Sequence, residues 1–258
     1  MKDQIWFQKY RLIKSLGQGG SAKVYLAEHV KLKTLRAIKQ ISKENVLHDQ
    51  LLKEAHILKS LNHPCIPVIY DFEEDEHYSY IIEQYIEGKS LDVLRKQHCQ
   101  LFHESLIINF AVQICDLFQY LYTHDNPVLY LDLKPENLII SGKVVKLIDF
   151  GASELKSQIK NRRYSLGTKG YSAPELYTNR IPDERADVYS IGALIFYMIT
   201  GKSYTRQTAG ILKNDRKHCS KPLAHIVQKS LRYNPVLRYP TVKVLRKNLL
   251  RDKPESDG

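Results

Sequence analysis

Tyr130-Leu131-Asp132-Leu133-Lys134-Pro135-Glu136-Asn137 places a carboxylate, an ammonium and a carboxamide within six residues. A loop this short can point all three side chains at one phosphoryl group. Seventeen residues after Asp132, Asp149-Phe150-Gly151 supplies a second carboxylate on a turn. Either stretch alone arises easily by chance. The two together, in this order and at this distance, do not.

Working outward from that pair, the chain divides by periodicity. Residues 11–16 lead as a strand into a group of glycines, 23–27 follow them as a second strand, and 35–41 alternate apolar and polar as a half-buried third. Residues 43–60 read as a helix with Leu51, Ala55 and Leu58 on one face, stopped by Asn62-His63-Pro64. Strands around 68–72 and 78–84 flank the acidic turn Glu73-Glu74-Asp75-Glu76. From Ser90 onward helices dominate. Leu106, Phe110, Ile114, Leu117 and Leu121 mark a helix from about 103 to 124, ended by Asp125-Asn126-Pro127. Val188, Ile191, Leu194, Ile195 and Met198 mark a helix apolar on most sides, with Gly201 at its C-cap. Residues 222–231 and 240–250 read as two closing helices. The predicted class is α+β: a five-stranded antiparallel sheet with one helix, then a mainly helical second lobe, crossing at Glu87-Gly88-Lys89.

Other motifs fall at defined points of this plan. Gly17-Gln18-Gly19-Gly20-Ser21-Ala22-Lys23-Val24 lies between two predicted strands, where glycine lets backbone amides approach phosphate oxygens with no Cβ in the way. A Gly-rich hairpin turn is common by itself, and a dinucleotide fold would need a helix directly after it. Lys39, in Arg36-Ala37-Ile38-Lys39, faces inward and needs an anion. Glu54, on the helix face of Leu51 and Leu58, is its partner; Glu44, at the start of the predicted helix, is a weaker alternative and stabilises that end. Gly167-Thr168-Lys169-Gly170-Tyr171-Ser172-Ala173-Pro174-Glu175, Asp187-Val188-Tyr189-Ser190-Ile191-Gly192 and Asn234-Pro235-Val236-Leu237-Arg238-Tyr239 complete the set.

In this order the motifs resemble the protein kinase family over about residues 10–250, in the style of bacterial serine/threonine kinases. The resemblance implies a two-lobed kinase catalytic domain with nothing attached: an N-lobe of about 10–84, a hinge of about 84–88, a C-lobe of about 89–250 and a polar tail, 251–258. It implies transfer of the γ-phosphoryl group of ATP to Ser or Thr hydroxyls of a protein substrate, with Mg2+, or Mn2+ in its place. Asp132 then receives or orients the hydroxyl, Lys134 neutralises the transferring group, and Asn137 and Asp149 hold the metal. Lys39, paired with Glu54, meets the α- and β-phosphates. Thr168 contacts Asp132 and Lys134, which marks the serine/threonine class. The nucleotide is lined by Leu16, Gly17, Gln18, Gly19, Gly20, Ser21, Ala22, Lys23, Val24, Ala37, Lys39, Gln84, Ile86 and Ile139. Among these the Gln84 C=O and Ile86 N–H meet adenine, and Val24, Ala37 and Ile139 sandwich it. Glu175 pairs with Arg238, and Asp187 braces the catalytic-loop backbone.

Three departures stand out. The family's third loop glycine is Ala22, and its His-Arg-Asp triplet is Tyr130-Leu131-Asp132. Glu83 stands before the hinge, where the family has an apolar or small residue. Unpaired and buried, that carboxylate costs several kcal/mol, so it is expected to pair with a lysine such as Lys39 or to take up a proton, unless the strand is shifted in register by one residue. The altered loop leaves two alternatives: a nucleotide-binding pseudokinase or scaffold, and a small-molecule kinase of the same fold. The intact Lys39, Glu54, Asp132, Asn137 and Asp149 argue against the first, and Thr168 with Ala173-Pro174-Glu175 against the second.

Composition agrees with a soluble, cytoplasmic domain. Of 258 residues 43% are apolar and 26% charged. The N-terminus lacks the apolar core of a signal peptide, and the most apolar run, 191–200, falls short of a membrane span. Cys65, Cys99, Cys115 and Cys219 form no C-x-x-C pair and suit neither zinc nor a disulfide framework. The net charge of +11 is concentrated in 201–251, where thirteen Lys or Arg face one acid, Asp215. A solvated face is the expected reading and a dock for an anionic partner the alternative; no nucleic-acid motif accompanies the charge. Leu131 cannot bind a phosphate on the activation segment as the family's arginine does. Tyr164→Ala and Ser165→Ala are therefore expected to leave phosphotransfer within about twofold of wild type in a labelled-ATP assay, and loss of turnover in either would refute this.

Overall fold

Alternating apolar residues build the first of two units. In the computed structural model, which describes residues 4–18, 22–45, 48–97, 102–159, 167–178, 180–214 and 219–251, this unit comprises Met1–Glu87 and Lys146–Gly151. Its strands are β1 (Ile5–Trp6), β2 (Tyr10–Gln18), β3 (Ala22–His29), β4 (Leu35–Ser42), β5 (Ile69–Glu74) and β6 (Tyr78–Gln84). They form one antiparallel sheet in the order β1-β2-β3-β4-β6-β5. The sheet thus has six strands where periodicity predicts five, because the two-residue β1 is too short to carry a period. Tertiary contacts hold it: the Trp6 ring lies edge-on to Tyr25 and Tyr80, each at 5.1 Å.

The two faces of the sheet do different work. Tyr10, Leu12, Tyr25, Ala27, Ile38, Tyr80 and Ile82 pack on one face with Trp6 and Phe7. The other face carries Ile41 and Ile81, which pack with Leu51 of α1 (His48–Ser60), flanked by Ala55, Ile69 and Phe72. Each fully buried aliphatic side chain contributes about 1.5–3 kcal/mol relative to exposure. The helix begins at His48, not at residue 43, since Ser42 turns the chain: its carbonyl accepts from Asn45 N and its Oγ from Glu44 N. Glu44 is therefore exposed in a turn, and Asp49 takes the favourable place at the helix start. Residues 146–151, expected in the second lobe, belong to this unit. Leu147 N donates to Cys65 O at 2.9 Å, and Phe150 N to Glu54 Oε1 at 3.2 Å.

The second unit comprises Gly88–Val145 and Ala152–Gly258. Its elements in order are β7 (Lys89–Ser90), α2 (Leu91–Gln97), α3 (Glu104–Thr123), β8 (Val128–Leu129), β9 (Leu138–Ser141), the first half of β10 (Val144–Leu147, whose last two residues belong to the first unit), β11 (Glu154–Leu155), α4 (Glu184–Thr200), α5 (Ile211–Asn214), α6 (Lys221–Ser230) and α7 (Val242–Arg251). Short sheets β10-β9-β7 and β11-β8 carry the loops between α3 and α4. α4 is buried from Ala186 through Ile199, the central helix its uniform apolarity predicts. Asp183 caps its start by accepting from Arg185 N at 2.9 Å, and Gly201, at φ 70°, ends it in the left-handed conformation glycine adopts without strain. α3 has the length and composition to cross a membrane, but nine of its residues are buried in this unit, where it packs with α4 and α7. Cys65, Cys115 and Cys219 form no disulfide, and Cys99 lies outside the described residues.

Gly192 sets the approach of α4 to α6, because a Cβ there would stand 2.6 Å from the Ser230 Cβ. Gly192→Ala should destabilise the protein by about 1–3 kcal/mol in urea denaturation. The cost should shrink in a Ser230→Gly background if this contact is its cause.

Candidate active-site residues

In the first unit, register decides which side chains meet. Across β3, β4 and β6, Val24 is opposite Lys39, Lys39 opposite Ile81, and Ala37 opposite Glu83. Opposed residues share a face, so Val24, Ala37, Lys39, Ile81 and Glu83 all point to the α1 side. Lys39 Nζ donates to Glu54 Oε2 at 2.5 Å and to Asp149 Oδ1 at 2.8 Å. Burial opposes the Lys39 charge, but the two carboxylates outweigh it and hold the ammonium charged well above its usual range. Burial pushes Glu54 up, against the pull of Lys39 and Phe150 N–H. Asp149 has φ 63°, a turn conformation that leaves its side chain 43% exposed beside its bond to Lys39.

Of the two outcomes expected for Glu83, pairing with Lys39 is absent and uptake of a proton is favoured. The Glu83 side chain forms no hydrogen bond or ion pair with any described residue, Lys39 included, because Lys39 is engaged by Glu54 and Asp149. Burial pushes its carboxyl up to about 8, with Glu54 adding to the shift, Lys39 opposing it and Asp149 adding further. Gln84 N donates to Val68 O at 2.8 Å, and Ile86 is buried with its N–H given to no described residue. Leu16 is 40% exposed, Gly17 and Lys23 are exposed, and Ala22 is buried. Gly19, Gly20 and Ser21 lie outside the described residues, as does the side chain of Gln18.

In the second unit, the loop from Tyr130 to Asn137 is anchored from below. Asp187, fully buried on α4, accepts from Leu131 N at 2.9 Å, Tyr130 N at 3.1 Å and Tyr122 OH at 2.6 Å. Burial pushes its carboxyl up to about 6, and these three donors restrain the rise. They hold Leu131 at φ 65°, a left-handed conformation that a leucine adopts only when its surroundings impose it. Tyr122 escaped the sequence reading; the only hint was a hydroxyl at the end of an otherwise apolar helix. The buried Tyr130 ring packs against Phe118 at 5.7 Å.

Above this brace Asp132 collects three neighbours. Its Oδ2 accepts from Lys134 Nζ at 2.6 Å and its Oδ1 from Thr168 Oγ1 at 2.9 Å. Asn137 Nδ2 donates to the Asp132 backbone O at 3.0 Å, which turns its amide oxygen away as a hard ligand. Ile139 lies half-buried on β9. Glu175 and Arg238 make a fully buried bidentate pair at 2.6 and 2.7 Å; Arg238 also donates to the carbonyls of Arg185, Arg232 and Tyr233. Of the basic residues in 201–251, Arg238 is thus internal, Arg246 pairs with Asp116, and Lys229 lies over Tyr239. Lys202, Arg206, Lys221, Arg232, Lys243, Lys247 and Arg251 remain exposed. Tyr164, Ser165 and the tail beyond Arg251 lie outside the described residues.

The donor chemistry fits magnesium. Among the described residues no group of three or more His, Cys, Asp or Glu gathers as a metal site. Mg2+ does not need one, since it takes one or two protein oxygens and completes its shell with water and phosphate. Asp149 and Asn137 each offer such an oxygen.

The Glu83 shift has a defined consequence for stability. Above about pH 4.5 the unfolded chain loses this proton while the folded chain keeps it to about 8, so the group destabilises the fold increasingly as pH rises across that window. Glu83→Gln should match wild type in urea denaturation near pH 4.5 and exceed it at pH 8.5. Equal stability at both would show that Glu83 is not perturbed.

Comparison with known proteins agrees with this architecture. A model of the protein kinase domain matches residues 10–256. An Aurora kinase of Saccharomyces cerevisiae is 30% identical over 95% of this chain and 70% of its own length. A probable serine/threonine-protein kinase of Clostridium perfringens is 26% identical over 99% of this chain. The serine/threonine-protein kinase PrkC of Bacillus subtilis is 31% identical over 75% of it. The chain spans 40% of the clostridial relative and 31% of PrkC. With the α+β kinase fold, the braced loop and a family match over nearly its whole length, this chain belongs to the protein kinase family.

Proposed function

We propose that this chain is a serine/threonine protein kinase that uses ATP and Mg2+. The observation that carries the reading is the state of Asp132, whose carboxylate is held by Lys134 and Thr168 while Asn137 holds its backbone carbonyl. ATP supplies the γ-phosphoryl group, and Mg2+ offsets the charge of its phosphates. Asp132 orients the acceptor hydroxyl and takes its proton. Lys134 faces the negative charge that builds on the transferred group. Lys39, kept charged and fixed by Glu54, binds the α- and β-phosphates. Asn137 and Asp149 would each offer the metal an oxygen. Val24 and Ala37 pack on the base, whose polar edge meets the Gln84 C=O and Ile86 N–H. Thr168 with Lys134 selects aliphatic hydroxyls. With Leu131 in place of an arginine, the loop is set by Asp187 and needs no phosphate on the activation segment. The exposed basic residues of 201–251 would suit an anionic protein partner.

Asp132→Asn should lower incorporation of label from γ-labelled ATP into a Ser/Thr protein substrate by at least about 100-fold. Thr168→Ala should lower it less, and Lys39→Met should weaken ATP binding as well as turnover. Unchanged transfer in Asp132→Asn, or label found only on tyrosine, would reject the proposal.

A further inference from the structure

Glu83 is the one acid on the α1 face of the sheet that no described residue pairs with. Its strand neighbours on that face are apolar, Ala37 on β4 and Ile69 on β5. It directly precedes Gln84, and two residues further Ile86 is buried with its N–H unclaimed by any described residue. Glu83 is half-buried, and a carboxylate set among apolar neighbours with no bonded partner is unfavourable in its charged form.

We propose that Glu83 is a base-recognition residue that reads the N6/N7 edge of adenine. The inference rests on the proposed base contacts of Gln84 and Ile86. When the adenine amine gives one hydrogen to the Gln84 C=O and N1 accepts from Ile86 N–H, a second amine hydrogen and N7 remain on the adjoining edge. That edge is one donor beside one acceptor, the pattern that Asn and Gln side chains read with two parallel hydrogen bonds. A neutral carboxylic acid has the same complement: its C=O accepts from the amine, and its O–H donates to N7. The charged groups that act on Glu83 are Glu54 on α1, Lys39 on β4 and Asp149, and together with burial they favour its neutral form. Guanine offers two acceptors on this edge and leaves the Glu83 carbonyl facing an oxygen.

The test is equilibrium binding of Mg-ATP and Mg-7-deaza-ATP, which lacks the N7 acceptor, measured calorimetrically at pH 7 on the full chain. Wild type is expected to bind the 7-deaza nucleotide roughly tenfold more weakly than ATP, the worth of one bond of such a pair. Glu83→Gln should keep that ratio, because the amide retains the donor and acceptor. Glu83→Met, similar in size and without either group, should bring the ratio near one. Equal binding of both nucleotides to wild type, or an undiminished ratio in Glu83→Met, would overturn the role of Glu83 alone. No binding of ATP to wild type would overturn the kinase reading as well.

Discussion

A single buried carboxylate carries the second unit's chemistry. Asp187 sits on a helix with no exposed side from Ala186 through Ile199, and spends its acceptor capacity on two loop amides and a phenol. Placing an acid there is unfavourable, as its upward shift shows, and the donors offset that cost. What the arrangement gains is position. Leu131 is held in a left-handed turn, the next residue is Asp132, and its carboxyl is set between Lys134 and Thr168. Without the brace, the loop would relax toward ordinary backbone conformations and the three side chains would no longer converge.

Arg238 does for the surrounding framework what Asp187 does for the loop. One guanidinium ties Glu175 to the carbonyls of Arg185, Arg232 and Tyr233 and stacks over Tyr189 at 4.9 Å. Its planar fork can meet a carboxylate bidentately and still serve carbonyls, which an ammonium cannot do. Arg238, one of the cations that look in the sequence like surplus charge, is therefore part of the frame.

The first unit is governed by a different balance: three acids, Glu54, Asp149 and Glu83, act on one lysine. Two bond it, and the third is driven toward its neutral form. An acid at that point would be hard to account for as a fold element, since an apolar side chain would stabilise the same strand better. In its neutral form it can donate a hydrogen bond, which an apolar side chain cannot.

By itself the sequence determined the succession of elements and the chemistry available at each motif, because periodicity, proline and glycine act locally. The long helix predicted over 103–124 is Glu104–Thr123, and the strand predicted over 78–84 is Tyr78–Gln84. The sequence overran the start of α1, where a serine turn competes with helix, and gave no sign of β1, which exists only through its ring contacts. Only the tertiary structure decided that residues 146–151 join the first unit, that Tyr122 supports Asp187, and that Asp149 joins the expected Glu54 on Lys39 and so leaves Glu83 alone. Such outcomes depend on which of several competing partners lies within bonding distance, and residues far apart along the chain reach that distance only when the whole fold is formed.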